Sequence, residues 1–263
     1  MVLQRPQLLP IAYFLMRWLG PFFRSPVSAV LGYARFFRDF LRYRQLGGVA
    51  NLSEAYPCLF DRTTTTSIDP QYFYQMIWAG KKIRETLPDT HVDVGSDVKF
   101  VGMLSVISKV IFVDIRPLMV DVEGLECREG SILALPFSDH SVFSLSSLHV
   151  VEHIGLGRYG DPLDPNGSER ACRELSRVLA PGGTLYVSVP VGQPRIQFNG
   201  QRVFSVKEIL DCFSDLFLVA MAMVDANGKY HSYVDPQYAS ELACASGRLD
   251  YSLGCFVFCR QSA

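Results

Sequence analysis

The sequence predicts an α/β fold: a seven-stranded, mostly parallel open sheet with a C-terminal antiparallel hairpin, preceded by an N-terminal helical extension. Three observations carry this. From about residue 88, short apolar runs alternate with amphipathic stretches, the pattern of strands joined by crossover helices. Several of those runs end directly in polar, glycine-containing turns, which is how parallel strands bring ligand-binding groups to one rim of a sheet. The last two runs, Leu216 to Val224 and Cys255 to Cys259, follow the alternation and suit a closing hairpin. With 263 residues, the chain accommodates one large domain and an accessory segment. We place the boundary between residues 1–87 and 88–263.

Along the chain, residues 28–45 suit an amphipathic helix, with Val30, Tyr33, Phe37, Phe40 and Leu41 at spacings of three and four. Gly47-Gly48 ends it, and residues 51–69 read as a loop. Ser67 or Asp69 can cap a helix over about 70–86, with Pro70 in its first turn and Tyr72, Met76, Ala79 and Ile83 as its stripe. Strands are expected at His91 to Gly95 and at Val110 to Ile115, separated by a helix marked by Phe100, Leu104 and Ile107. A weaker strand lies near Leu125 to Leu133, and Val142 to Leu148 is a buried one. Ser168 suits the N-cap of a helix whose inner face is Cys172, Leu175 and Leu179. Pro181-Gly182-Gly183 is expected to stop that helix before the central strand Leu185 to Val189. Phe204 to Phe213 reads as the last helix.

Composition excludes some classes. A net charge of −1 gives no reason to expect a nucleic-acid binder. Seven cysteines, an odd number without a CxxC pair, read as reduced core thiols in a cytoplasmic setting, and no metal site is expected. Charge is unevenly spread, however. Residues 1–45 hold seven arginines (5, 17, 24, 35, 38, 42 and 44) against the single acid Asp39, together with ten aromatics. Arg17, Arg24 and several prolines interrupt any window long enough to span a bilayer. The segment therefore suits a helical pair packed on the main domain, peripheral contact with a membrane interface, or a transit peptide. No oligomeric state follows from the sequence.

Five markers in order resemble class I S-adenosylmethionine-dependent methyltransferases, whose domain is Rossmann-like. They are Asp93-Val94-Gly95-Ser96, Asp114, Gly130-Ser131 with Leu135-Pro136-Phe137, Val151-Glu152-His153-Ile154, and Arg173 through Gly183. The run from Ser146 to Pro165, with Asp69 to Gln75 upstream and Phe198 to Phe204 downstream, looks closer still to a methyltransferase-like domain of unknown function. The resemblance implies S-adenosylmethionine as cofactor, held by Asp93, Gly95, Ser96, Asp114, Ser131 and Ile132. Physical reasoning supports part of that. A glycine after the first strand lets a ligand approach the backbone, and Asp114, at the end of the next strand, can accept hydrogen bonds from both ribose hydroxyls. Asp93 either holds the first loop or meets the ligand's amino group. The chain departs from the usual pattern at Asp97 and Lys99, which stand where two further glycines belong, and at Ser131, where an aspartate is usual.

The turn after Leu148 carries the candidate chemistry. His149 is suited to take a proton near neutral pH, with Glu152 or Asp161 holding its ring; His153 completes the catalytic candidates or anchors the turn. Gly155 to Gly167 is long enough to fold over a site. Its Arg158 and Tyr159, with Asn199 and Arg202 from beyond the fifth strand, are candidates for binding substrate. Arg202 would grip a carboxylate or phosphate; alternatively Arg158 and Arg202 pair with Asp161 or Asp164 and lock the loops. The leading function is methyl transfer to a small polar acceptor, and the resemblance points first to a sugar hydroxyl of a surface glycan. The alternative is a methyltransferase-shaped binding or scaffold protein without turnover. A third reading, a zinc hydrolase, uses His149-Val150-Val151-Glu152-His153 as an H-x-x-E-H signature and requires a continuous helix there.

Overall fold

The structure, a computed structural model, describes residues 10–245, 247 and 249–262. The chain divides into two compact units, the first ending at Ile68 and the second beginning at Asp69. The expected boundary at 87/88 falls later than this, and the helix between the two positions packs within the second unit.

The first unit is built on α1 (Pro10–Arg24) and α2 (Pro26–Gln45). Pro26 takes the first position of α2, where a missing N–H costs no hydrogen bond. Aromatic rings join the two helices: Trp18 stacks on Tyr33 with centroids 5.9 Å apart, and Phe22 stacks on the same ring at 5.5 Å. The Tyr33 hydroxyl donates to the Trp18 carbonyl. A Cβ on Gly32 would lie 2.8 Å from Leu59 Cβ, so the glycine lets the following loop lie against α2, and Arg35 donates to the Leu59 carbonyl at 2.7 Å. Phe23, Val27 and Leu31 remain exposed. Among the described residues no helix is long and apolar enough to cross a membrane. Arg5, counted in the basic segment, lies outside the described residues.

The second unit opens with α3 (Pro70–Thr86), where Asp69 accepts from the Gln71 and Tyr72 amides as its N-cap. There follow β1 (Thr90–Val94), α4 (Val98–Leu104), β2 (Lys109–Asp114), β3 (Leu125–Glu129) and β4 (Val142–Leu148). Next come α5 (Gly167–Val178), β5 (Leu179–Val191), the short pair β6 (Arg195–Gln197) and β7 (Gln201–Val203), and α6 (Val206–Cys212). The chain ends with β8 (Phe217–Val224), β9 (Tyr230–His231), α7 (Pro236–Ala245) and β10 (Ser252–Cys259). Sheet order is β3-β2-β1-β4-β5-β10-β8-β9. The first five strands are parallel, and β10 lies antiparallel between β5 and β8. This is the expected seven-stranded plan with the two-residue β9 added at one edge.

Strand alternation divides the core between the two sheet faces. Tyr186 and Val257 pack with Trp78, Ile83 and Phe100 from α3 and α4, whereas Leu185, Phe256 and Phe258 pack with Leu175, Ile209 and Ala239 from α5, α6 and α7. Phe256 is fully buried, and truncating such a ring to alanine costs about 3–5 kcal/mol. These packing partners place α3 with the sheet.

Two local expectations are corrected. Pro181-Gly182-Gly183 does not stop α5, which ends at Val178. The tripeptide instead forms a bulge within β5, where pairing jumps from Val142↔Leu179 to Ser144↔Thr184. Gly182 takes a φ of +73°, and its N–H donates to the Arg260 carbonyl at 2.9 Å. Ser168 is not the N-cap of α5. Asn166 holds that position, and the buried Ser168 hydroxyl donates to the Val151 carbonyl at 2.7 Å.

Candidate functional site

A cavity of about 470 Å³ lies beyond the C-terminal ends of β1, β2 and β4. One wall comes from β1, β2 and the residues after β3. Gly95, at a φ of +73°, donates its N–H to the Val113 carbonyl at 3.0 Å. A Cβ there would sit 3.0 Å from Val150 Cγ1, so a larger residue would be strained in its backbone and would press on the Val150 side chain. Asp114 ends β2 at the cavity edge. Its Oδ1 accepts from the Arg116 amide at 2.7 Å and lies 3.6 Å from Arg116 Nε. Ser131 and Ile132 complete the wall, held by a Gly130 N–H to Asp114 carbonyl bond of 3.0 Å.

Asp93 and Ser96 do not line the cavity. Asp93 is fully buried and accepts from the Ser96 amide (3.1 Å), the Ser96 hydroxyl (2.7 Å) and the Ser146 hydroxyl. Ser96 Oγ in turn accepts from the Leu148 amide at 3.0 Å. Together they tie the turn after β1 to β4, so Asp93 holds this loop. Burial pushes the Asp93 carboxyl up to about 6, with the Ser146 and Ser96 hydrogen bonds opposing it. Beneath it lies fully buried His91, whose Nε2 is 2.8 Å from Ser146 Oγ and whose Nδ1 is 2.7 Å from Ser144 Oγ. Because the single Ser146 proton goes to Asp93, His91 Nε2 is the donor to Ser146, and Nδ1 accepts from Ser144. Burial pulls the His91 imidazole down to about 3. Asp97 caps α4 by accepting from the Lys99 amide at 2.8 Å, and Lys99 is exposed.

The opposite wall follows β4. His149 adopts a φ of +57°, uncommon for a residue with a Cβ. Its N–H donates to the Ser188 carbonyl at 2.9 Å, and its Nδ1 lies 2.7 Å from Glu152 Oε1. Glu152 therefore holds the ring, and Asp161 does not. The His149 side chain is 5 % exposed and Glu152 is fully buried; among the described residues His149 Nε2 and Glu152 Oε2 have no hydrogen-bond partner. His149 lines the same cavity as Gly95 and Asp114. His153 Nδ1 lies 2.7 Å from the Gly200 carbonyl, and burial lowers its proton affinity.

Residues 155–165 roof the site, and their polar groups are largely spent on the roof itself. Asp161 accepts from the amides of Gly155 (2.7 Å), Gly157 (3.4 Å) and Tyr159 (3.3 Å). Arg202 is buried, and although Asp164 and Asp161 act on it electrostatically, it makes no ion pair within 4.0 Å among the described residues. It donates to the Ile154, Asp164 and Pro165 carbonyls at 2.6, 3.3 and 3.2 Å, and to Ser168 Oγ at 3.0 Å. These donations hold the loop through its carbonyls. Arg158 donates to the Gly200 carbonyl at 3.1 Å. Tyr159 lies between the Arg116 and Arg158 guanidiniums, 4.4 and 5.0 Å from its ring centre. Asn199 is exposed at the tip of the β6–β7 hairpin and does not line the cavity. Sequence reading missed Arg116 as the partner of Tyr159 and Tyr72 as the ring stacked on His149, since neither pairing is local.

The H-x-x-E-H reading fails on backbone geometry. His149 lies just past a strand end, and Val151–His153 forms one 3-10 turn, so the two histidines are not successive members of a helix face. Among the described residues no group of three metal-ligating side chains converges.

The sheet order and the position of the cavity define a class I methyltransferase-like, Rossmann-like fold. Solved structures agree. The "[4+2]-Cyclase SpnF" is similar over 89% of this chain and 96% of its own, with a TM-score of 0.54 and 14% identity. The N-methyltransferase NodS from Bradyrhizobium japonicum WM9 is similar over 73% and 98%, with a TM-score of 0.52 and 11% identity. Those two names describe different reactions, so the likeness speaks for the fold alone. More particularly, residues 107–231 match the pattern of a family described as "Caenorhabditis protein of unknown function, DUF268". No curated protein matches the chain.

Proposed function

We propose that the protein binds S-adenosylmethionine in this cavity and transfers its methyl group to a hydroxyl of a small polar acceptor, a sugar hydroxyl being the first candidate. The observation that carries the reading is that His149, whose Nε2 is buried and has no partner among the described residues, lines the same cavity as Gly95 and Asp114. The residues fit the adenosine half of the donor. Asp114 would accept from the ribose hydroxyls, Ser131 and Ile132 would border the adenine, and Gly95 would leave room at the backbone. Asp97 and Lys99 belong to the cap of α4 and do not line the cavity. When bound, the donor supplies an electrophilic methyl group. His149, with its Nδ1–H directed at Glu152 Oε1, holds Nε2 bare to accept the acceptor's hydroxyl proton, and the carboxylate stabilises the resulting imidazolium.

Calorimetry with S-adenosylhomocysteine tests the donor half. Wild-type protein is expected to bind, Asp114→Ala to bind about tenfold more weakly through loss of a charge-assisted hydrogen bond, and Gly95→Val not to bind. No heat at millimolar ligand would remove the reading and leave a binding or scaffold role.

The first unit supports a second property, peripheral contact with an anionic membrane. Phe23 is 89 % exposed and Val27 74 %, on helices carrying Arg17, Arg24, Arg35, Arg38, Arg42 and Arg44 against Asp39 alone. Full-length protein should float with phosphatidylserine-containing vesicles, and the Phe23→Asp/Val27→Asp variant should stay behind. Equal recovery of the two would exclude this face.

A further inference from the structure

We infer that Tyr72 is a positioning residue for His149, so that helix α3 holds the plane of the imidazole that Glu152 orients. The consequence for catalysis rests on the methyl-transfer reading, but the contact itself does not. Tyr72 stands 77 positions before His149 in the chain (149 − 72). Their rings nevertheless stack, with centroids 5.0 Å apart and planes 17° from parallel. Tyr72 is 39 % exposed, too open for core packing to be its purpose.

The backbone explains why a third hold is needed. At a φ of +57° His149 has left the regular strand, so strand geometry no longer fixes the direction of its side chain. Its N–H is anchored on the Ser188 carbonyl, and the Ser188 hydroxyl donates to Gln75 Oε1 at 2.6 Å. Tyr72 and Gln75 are three apart on α3 and therefore share one face of that helix. Through them α3 touches the His149 ring and the residue that anchors its backbone. Asp69 caps the same end of the helix, fixing Tyr72 through its own amide. Glu152 supplies the in-plane hold at Nδ1. Glu152 engages the particular nitrogen, Nδ1, and the stacked aromatic face holds the plane of the ring, so that the Nδ1–H stays aligned on Oε1 and the tautomer with Nε2 bare is kept. The charged and titratable groups that act on Tyr72 are Glu152, Tyr159, Asp69 and Arg158, and His153 beside the same carboxylate feels Glu152, Arg158 and His149. Burial, then Glu152, raises the Tyr72 hydroxyl above its ordinary value, so it stays neutral beside the carboxylate.

The test is imidazole nitrogen NMR on full-length, 15N-histidine-labelled protein, with the His149 signals assigned by their disappearance in His149→Gln. Wild type should show one protonated and one bare nitrogen, widely separated in shift. Tyr72→Phe, which keeps the stacked face, should keep that pattern. Tyr72→Leu, which fills the space without an aromatic face, should draw the two shifts together as tautomers interconvert. A folded Tyr72→Leu protein with the wild-type pattern overturns the inference. Should that variant not fold, Tyr72→Met applies the same criterion. S-adenosylhomocysteine calorimetry on the same samples separates the two proposals: absent donor binding with an intact wild-type tautomer pattern would break the methyl-transfer reading and leave the positioning role standing.

Discussion

The two walls of the cavity are built on opposite principles. On the β1–β2–β3 side, space is created by omission: a glycine in a left-handed turn, a carboxylate at a strand end, and backbone close to the void. On the side that follows β4, the loop is dense with polar side chains, and nearly all of them satisfy the loop itself. Asp161 takes three amides and Arg202 three carbonyls and a hydroxyl. The comparison teaches that polar density is a poor guide to ligand contact. The informative atoms in the dense wall are the two left unsatisfied, His149 Nε2 and Glu152 Oε2, because a buried polar atom without a partner is costly unless something is meant to meet it.

The contrast can be broken most forcefully at Arg202. Arg202→Met should strip three carbonyls and the Ser168 hydroxyl of their donor and destabilise the fold by about 3 kcal/mol, read as a lowered thermal midpoint. A change near zero would mean the roof is not tied as described. At Asp93 the effect is of similar size but depends on pH. Its folded value of about 6 lies above the ordinary 3.8, so between those values the folded state binds more protons than the unfolded state. The stabilising contribution of protonated Asp93 is therefore complete below about 3.8 and lost as pH rises through 6. Relative to wild type, Asp93→Asn should gain up to about 3 kcal/mol across that window in denaturant titrations. A difference curve that is flat would show that Asp93 is not held in a desolvated site.

The smallest effect sharpens the comparison. His149→Gly relieves a left-handed residue, a gain of about 1 kcal/mol, but leaves the buried Glu152 carboxylate without its nearest partner, a loss of about 3 kcal/mol. The loss wins, and the single variant should be about 2 kcal/mol less stable. Adding Glu152→Met should recover most of this. If His149→Gly alone were more stable than wild type, the pairing with Glu152 would carry no weight.

Much of this site could be read from local sequence. Gly95 and Asp114 are legible because each directly follows an apolar run, and strand ends are where an open sheet presents ligands; Ser131-Ile132 follows the mixed run Leu125 to Gly130 and is indicated only by the resemblance to methyltransferases. The His149–Glu152 contact was readable because the two are three residues apart. What could not be read depends on strand register and long-range packing. Asp93 turned inward because β1 pairs it with Ser146 of β4, bringing that hydroxyl to its carboxylate. Arg202 found carbonyls instead of carboxylates because a loop about 40 residues earlier folds around it, and no composition rule separates those acceptors. The β6–β7 pair, β9 and α7 escaped because they are short and carry little periodicity.

The way the roof is fastened has a consequence for how any visitor is received. A segment whose amides at Gly155, Gly157 and Tyr159 are already engaged has no folding left to complete on arrival. Association is thus spared the entropic toll of closing a floppy flap, and those amides should exchange slowly with solvent deuterium even in the empty protein. A ligand of this cavity would meet a rigid vestibule, not a loop still to be taught its shape.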